Sequence, residues 1–146
     1  MNKNSIGLVR TVVGHLHDNG IDVLLGGGWA EELQGIIKPR EHRDIDLYYR
    51  ADDFQRLDKY IVSAGVEEIE AKHKSHKRAY KQDGIMVEVI LIQHDKQGNY
   101  SSYDQEKVIR WPKFLSVRVN GLSCLSPGAL KFKRSVHQYL FPREQF

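Results

Sequence analysis

Apolar residues recur at Ile6, Val9, Val12, Val13 and Leu16, a helical spacing that collects them into one stripe, with Asn4 or Ser5 as the cap and Asn19-Gly20 as the stop. The pattern predicts a first helix with one buried face. Ile21 to Leu25 is a short apolar run that closes on Gly26-Gly27-Gly28, which reads as a strand followed by a sharp turn. Trp29 to Ile36 reads as a short helix whose N-terminus emerges from those glycines, ended by Lys38-Pro39-Arg40. A strand carrying Arg43-Asp44-Ile45-Asp46-Leu47-Tyr48-Tyr49 comes next, and Asp52 then caps a helix over Phe54, Leu57, Tyr60, Ile61 and Ala64, stopped by Gly65.

The second half is richer in strands. Val66 to Glu70 reads as a short strand, Arg78 to Lys81 and Ile85 to Ile92 as a hairpin turned at Asp83-Gly84, and Leu115 to Val119 and Leu122 to Leu125 as another turned at Asn120-Gly121. The polar stretch from Gln93 to Lys107, with Gly98-Asn99 and Ser101-Ser102, reads as loop. Ser126-Pro127 starts a final helix, serine at the cap and proline in the first turn, running to about Leu140. No linker or repeat interrupts the order, so the expectation is one small α/β (α+β) domain over residues 1–146, a mixed sheet flanked by helices.

Composition narrows this reading without redirecting it. Charged residues at 28% and hydrophobic ones at 40% are globular values, and the net charge of +3 is too slight to imply a nucleic-acid partner. A nucleotide or another small anion suits it equally. A single cysteine, Cys124, leaves no internal disulfide, and we expect it to be a small buried apolar residue. No apolar run approaches the roughly 20 residues a membrane helix needs, and no secretory signal is visible at the start, so the cytoplasm is the expected location.

The chemistry concentrates in three places. Asp44 and Asp46 are alternate residues of a strand and project from the same face, while Ile45 and Leu47 turn the other way. Two carboxylates so close repel and raise one another's pKa unless a cation holds them, and hard oxygen ligands near phosphates suit Mg2+. Within Ile85 to Ile92 every residue is apolar except Glu88, a natural third carboxylate, although an edge-strand glutamate facing solvent would read alike. The triple glycine is not a P-loop, since no Gly-Lys-Ser/Thr follows.

Taken in order, Gly27-Gly28, then Arg40-Glu41-His42-Arg43-Asp44-Ile45-Asp46, then an isolated acid in a later apolar strand resembles the nucleotidyltransferase superfamily of the polymerase β type. The fuller string Gly26-Gly27-Gly28-Trp29-Ala30 with Arg43-Asp44-Ile45-Asp46 is similar to its antibiotic-modifying branch, the lincosamide nucleotidyltransferases and the aminoglycoside 2''-adenylyltransferases. The resemblance implies a nucleotidyltransferase-like mixed sheet and transfer of a nucleoside monophosphate, AMP from ATP, to a hydroxyl of a small molecule such as an antibiotic, with release of pyrophosphate. It assigns Asp44, Asp46 and Glu88 to catalysis and to Mg2+ or Mn2+. Gly27 and Gly28 would let the backbone approach the phosphates, and Arg40, His42 and a lysine of the last helix, Lys131, would contact the nucleotide.

Other features weigh less. Trp29 is expected in the core, Lys72 to Arg78 as a solvated basic strand end, and His15 and His17 as surface residues. The chain ends about 20 residues after Ser126, where larger relatives carry an acceptor-binding helical domain; a homodimer is one way to complete an acceptor pocket. The alternative reading is a non-catalytic nucleotide-binding module, such as one component of a toxin pair, which would tolerate loss of a carboxylate; all three are present.

Overall fold

The computed structural model describes residues 3–104 and 107–140. Helix α1 spans Ile6–Asp18 and is capped by Ser5, whose hydroxyl accepts the Leu8 amide at 3.1 Å. Asn4, the alternative cap, is buried and employed elsewhere. Strand β1 (Val23–Leu25) leads directly into α2 (Gly27–Leu33), so Gly26 is the N-cap residue and Gly27 and Gly28 form the first turn of the helix rather than a separate turn. Strand β2 (Asp44–Arg50) follows, then α3 (Gln55–Ala64), which ends at Gly65 in the left-handed region. The cap position of α3 is Phe54, and it is Asp53 rather than Asp52 whose carboxylate accepts an amide there, that of Gln55 at 2.9 Å.

A two-residue strand β3 (Glu67–Glu68) and a single helical turn at Glu70–Lys72 precede β4 (Lys77–Gln82) and β5 (Ile85–His94). Two further strands follow: β6 (Tyr100–Asp104) lies within the stretch from Gln93 to Lys107 expected to be loop, and β7 (Lys107–Arg110) begins at its last residue. The physical reason is local. Asp95 accepts the amides of Gln97 and Asn99 at 2.9 and 3.0 Å, closing a turn that sends the polar chain back along the end of β5, with Gln93 opposite Ser101. Strands β8 (Ser116–Val119) and β9 (Leu122–Leu125) form the last hairpin, and α4 (Pro127–Leu140) is capped by Ser126 through the Ala129 amide at 3.1 Å.

The strands join in the order β3-β4-β5-β2-β1-β9-β8, with β6 and β7 branching from the end of β5. The sheet is mixed. Strands β2 and β5 are parallel, β1 is antiparallel to β2 and parallel to β9. On one face Ile45, Leu47, Val87 and Val89 are wholly buried in a core cluster that also takes Val9, Val12 and Leu16 from α1 and Leu57 and Ile61 from α3. Alternation along β2 and β5 therefore leaves Asp44, Asp46, Tyr48, Glu88 and Ile90 on the opposite face. Cys124 and Trp29 are both buried in the core.

Candidate active site

The acidic residues meet through register. In the parallel pairing of β2 with β5, Asp46 lies directly opposite Glu88 and Asp44 opposite Met86, so the three carboxylates occupy one patch of one face. Their electrostatics agree. Burial and then the negative charge of Glu88 raise Asp44 above the usual carboxylate range, and burial, Glu88 and Asp44 push Asp46 up to about 7. Glu88 is partly compensated, with Lys77 Nζ at 3.0 Å and Lys72 Nζ at 3.5 Å.

The glycines sit against this patch from above. Gly27 has φ of +58°, and a Cβ built there would lie 2.2 Å from Asp46 Oδ2, so only a residue without a side chain fits. Gly28 is constrained from the other side, where a Cβ would lie 2.6 Å from His42 Nδ1 and 3.2 Å from an Arg40 guanidinium nitrogen. The first turn of α2 is thereby held in van der Waals contact with the acids on one side and a basic loop on the other.

That loop is pinned by Glu32, which accepts the Arg40 amide at 2.9 Å and pairs with His42 Nε2 at 2.9 Å. His42 itself is buried, its ring 4.3 Å from that of Trp29. Asn4 ties the arrangement together: its amide nitrogen donates to the carbonyls of His42 at 3.1 Å and Asp44 at 3.0 Å, and its oxygen accepts the Trp29 indole N–H at 3.0 Å. The strand that bears the aspartates is thus anchored at its first residue.

A cleft of about 440 Å³ opens over the patch. It is lined by Gly27, Gly28, Arg40, Asp44, Asp46 and Glu88 from the residues singled out in the sequence. Two others lie apart: His42 is packed behind Gly28, and Lys131 is exposed on α4 while Lys133, two residues on, lines the cleft. Absent from the sequence expectation is the apolar and aromatic part of the lining, Tyr103, Ile109, Trp111 and Val136. Trp111 is buried, edge-on to Tyr48 at 5.4 Å and held through its indole N–H to Ser102 Oγ at 2.8 Å. The one available signal was a tryptophan closing a polar stretch. The basic run divides between roles: Lys77 lines the cleft, whereas Arg78 is buried, pairs with Asp58 at 2.7 and 3.2 Å and covers the Phe54 ring, contrary to a wholly solvated strand end.

Among the described residues no three acidic, histidine or cysteine side chains close into a ready-made metal cage, and Glu88 is engaged by Lys77. The donor set nonetheless fits a hard divalent cation. Asp44 and Asp46 are oxygen donors on one face with raised proton affinity, and Mg2+ takes one or two protein carboxylates and keeps its remaining waters.

A backbone turn against an aspartate pair, a third acid in register on the parallel neighbour and an overhanging cleft define a nucleotidyltransferase-type site. The model of the family described as uncharacterised nucleotidyltransferase matches residues 2–139, and the chain belongs to that family. It is a nucleotidyltransferase by family. No curated protein sequence matches the chain significantly. Solved structures give the same fold. The lincosamide antibiotic adenylyltransferase LnuA, lincomycin-bound, superposes with a TM-score of 0.71 at 17% identity over 90% of this chain and 85% of that one. ANT(2'')-Ia in complex with adenylyl-2''-tobramycin does so with a TM-score of 0.70 at 14% identity over 94% of this chain and 78% of that one.

Proposed function

We propose that the chain transfers a nucleoside monophosphate, AMP from ATP, to a hydroxyl of a small molecule with release of pyrophosphate. The observation that carries this is the register of Asp46 against Glu88, with Asp44 on the same face and Gly27 packed on Asp46. Asp44 and Asp46 would hold Mg2+, which when bound neutralises charge on the triphosphate oxygens and on the departing pyrophosphate. The protein's own contribution is positional. The backbone of Gly27 and Gly28 admits the phosphates to close range, and Arg40, Lys77 and Lys133 line the cleft with positive charge.

Glu88 lies beside the aspartates and takes the proton from the acceptor hydroxyl as its oxygen attacks the α-phosphorus in line; the α–β phosphoanhydride bond breaks and pyrophosphate leaves. The antibiotic substrates in the solved relatives make antibiotics the first acceptors to try. The test is pyrophosphate release from ATP and Mg2+ across antibiotic, sugar and protein acceptors. Acceptor-dependent release that disappears in Asp44→Asn and Asp46→Asn is expected. Release that persists undiminished in both variants would overturn the reading, as would full metal-dependent nucleotide binding by either.

A further inference from the structure

A second cleft, of about 550 Å³, lies away from the acids and shares no lining residue with the first. Arg50, which lines it, is the last residue of β2 where Asp44 is the first, about 20 Å along the strand. One wall is a face of α1, where Arg10, Val13, Gly14 and His17 recur at the three- and four-residue spacing that brings helical side chains together. The other is the β8–β9 hairpin. Arg118 stands on it opposite Ser123 and donates to that residue's Oγ at 3.0 Å. Arg10 reaches over the same hairpin, since a Cβ built on Gly121 would lie 3.7 Å from its Nη1.

Three guanidinium groups therefore border one concavity. Arg10, Arg50 and Arg118 are exposed, and among the described residues none of them pairs with a carboxylate. The one acid among the described lining residues, Asp22, is engaged by His17 Nδ1 at 2.6 Å. Gly14 adds an independent observation. It stands in the interior of α1, where glycine weakens a helix, yet a Cβ there would meet nothing within 4 Å. Packing within the chain does not call for a glycine at this position, whereas room beside the helix for a bound molecule does.

We propose that this cleft binds a small anion carrying two or more phosphates, its oxygens taken by Arg10, Arg50 and Arg118 and its bulk admitted beside Gly14. Planar guanidinium forks match phosphate oxygens in pairs, and three of them exceed what a single phosphate can use. The cleft has the volume of a small-molecule site. A nucleic acid would instead follow an extended basic stripe, for which the net charge of +3 is slight.

Calorimetry on the full chain in EDTA, with inorganic pyrophosphate and ADP as probes, tests this. At least one should bind with a dissociation constant below about 1 mM. Pyrophosphate binding alone identifies a free oligophosphate as the ligand; ADP binding as tightly or more tightly identifies a nucleotide's phosphate tail. Arg10→Gln and Arg118→Gln, both at exposed positions, should each weaken binding about tenfold. Arg40→Gln and Lys133→Gln, in the first cleft, should leave it unchanged. Gly14→Leu should keep or raise Tm, leucine being the better helix former, and should block the anion by filling the cleft. Absence of binding by either probe overturns the proposal, and so does binding that the arginine substitutions and Gly14→Leu leave unaltered. Loss of binding in Arg40→Gln or Lys133→Gln places the anion in the first cleft and overturns it too. Tighter binding of a short single-stranded RNA than of ADP overturns it in favour of a nucleic-acid surface. None of these outcomes bears on the transfer reading, whose own test depends on metal.

Discussion

Asp46 concentrates the cost of the site in one carboxyl group. Its folded-state pKa of about 7 stands above the ordinary value of 3.8, so the folded protein holds a proton that the unfolded chain releases. Such a group favours folding at low pH, and that contribution is lost as the pH rises from about 4 through 7. Melting in EDTA should therefore show Asp46→Asn gaining on the wild type by about 1–3 kcal/mol between pH 4.5 and pH 8. A gap between the two proteins that stays constant with pH would remove Asp46 from the charged patch. Gly27 is the complementary position, because alanine there carries a left-handed φ, costing about 1–2 kcal/mol, and a methyl group aimed at Asp46 Oδ2. Gly27→Ala should lower affinity for an ATP analogue with Mg2+ at least tenfold by calorimetry, more than its modest loss of stability explains; unchanged affinity would place the phosphates elsewhere. At Gly28 the obstacle to substitution is different: its backbone is not left-handed, and His42 and Arg40 fill the space.

Elements differ in how plainly they can be read. Strand β2 was legible because Ile45 and Leu47 alternate with Asp44 and Asp46, and a period of two has one interpretation when one face is apolar and the other acidic. The parallel register of β2 on β5 was not, since nothing in a strand names its neighbour; only the isolated Glu88 hinted that its face matched that of the aspartates. Strands β6 and β7 escaped notice because Ser101, Ser102 and Lys107 carry no apolar period, and their order comes from the Asp95 turn and from Trp111, which lies outside both strands. The helices α2 and α4 meet through Glu31 and Arg134, separated by 103 residues, and no local pattern reveals such a pair. Glu31 is buried, so removing its partner strands a charge. Arg134→Met should destabilise by about 1–3 kcal/mol in urea, discounted because Arg134 is about a third exposed, and Glu31→Gln in the same chain should restore part of the loss. A second substitution that only adds to the first would show that the pair does not couple the helices.

Across the molecule, the site is assembled from segments remote in sequence: the glycines after β1, the aspartates of β2, Glu88 in β5, the aromatic wall beyond β6 and the cations of α4. The apolar side of β2 and β5, with Ile45, Leu47, Val87 and Val89, packs against α1 and α3 on the other face of the sheet, so the three mutually repelling carboxylates stay out of that packing. A ligand that neutralises the patch binds only the folded chain, so it must stabilise the whole molecule by mass action, by about 2.7 kcal/mol at a hundredfold excess over its dissociation constant. The gain should also depend on pH. Where Asp46 is protonated a cation must displace that proton, so affinity rises as the pH passes through about 7. Scanning calorimetry with Mg2+ and a non-hydrolysable ATP analogue should show a rise in Tm of several degrees at pH 8, with a smaller rise at pH 5.5. In Asp46→Asn the rise should be small at both values. A rise of equal size at both pH values in the wild type, or one retained in Asp46→Asn, would mean that the ligand binds away from the β2–β5 patch.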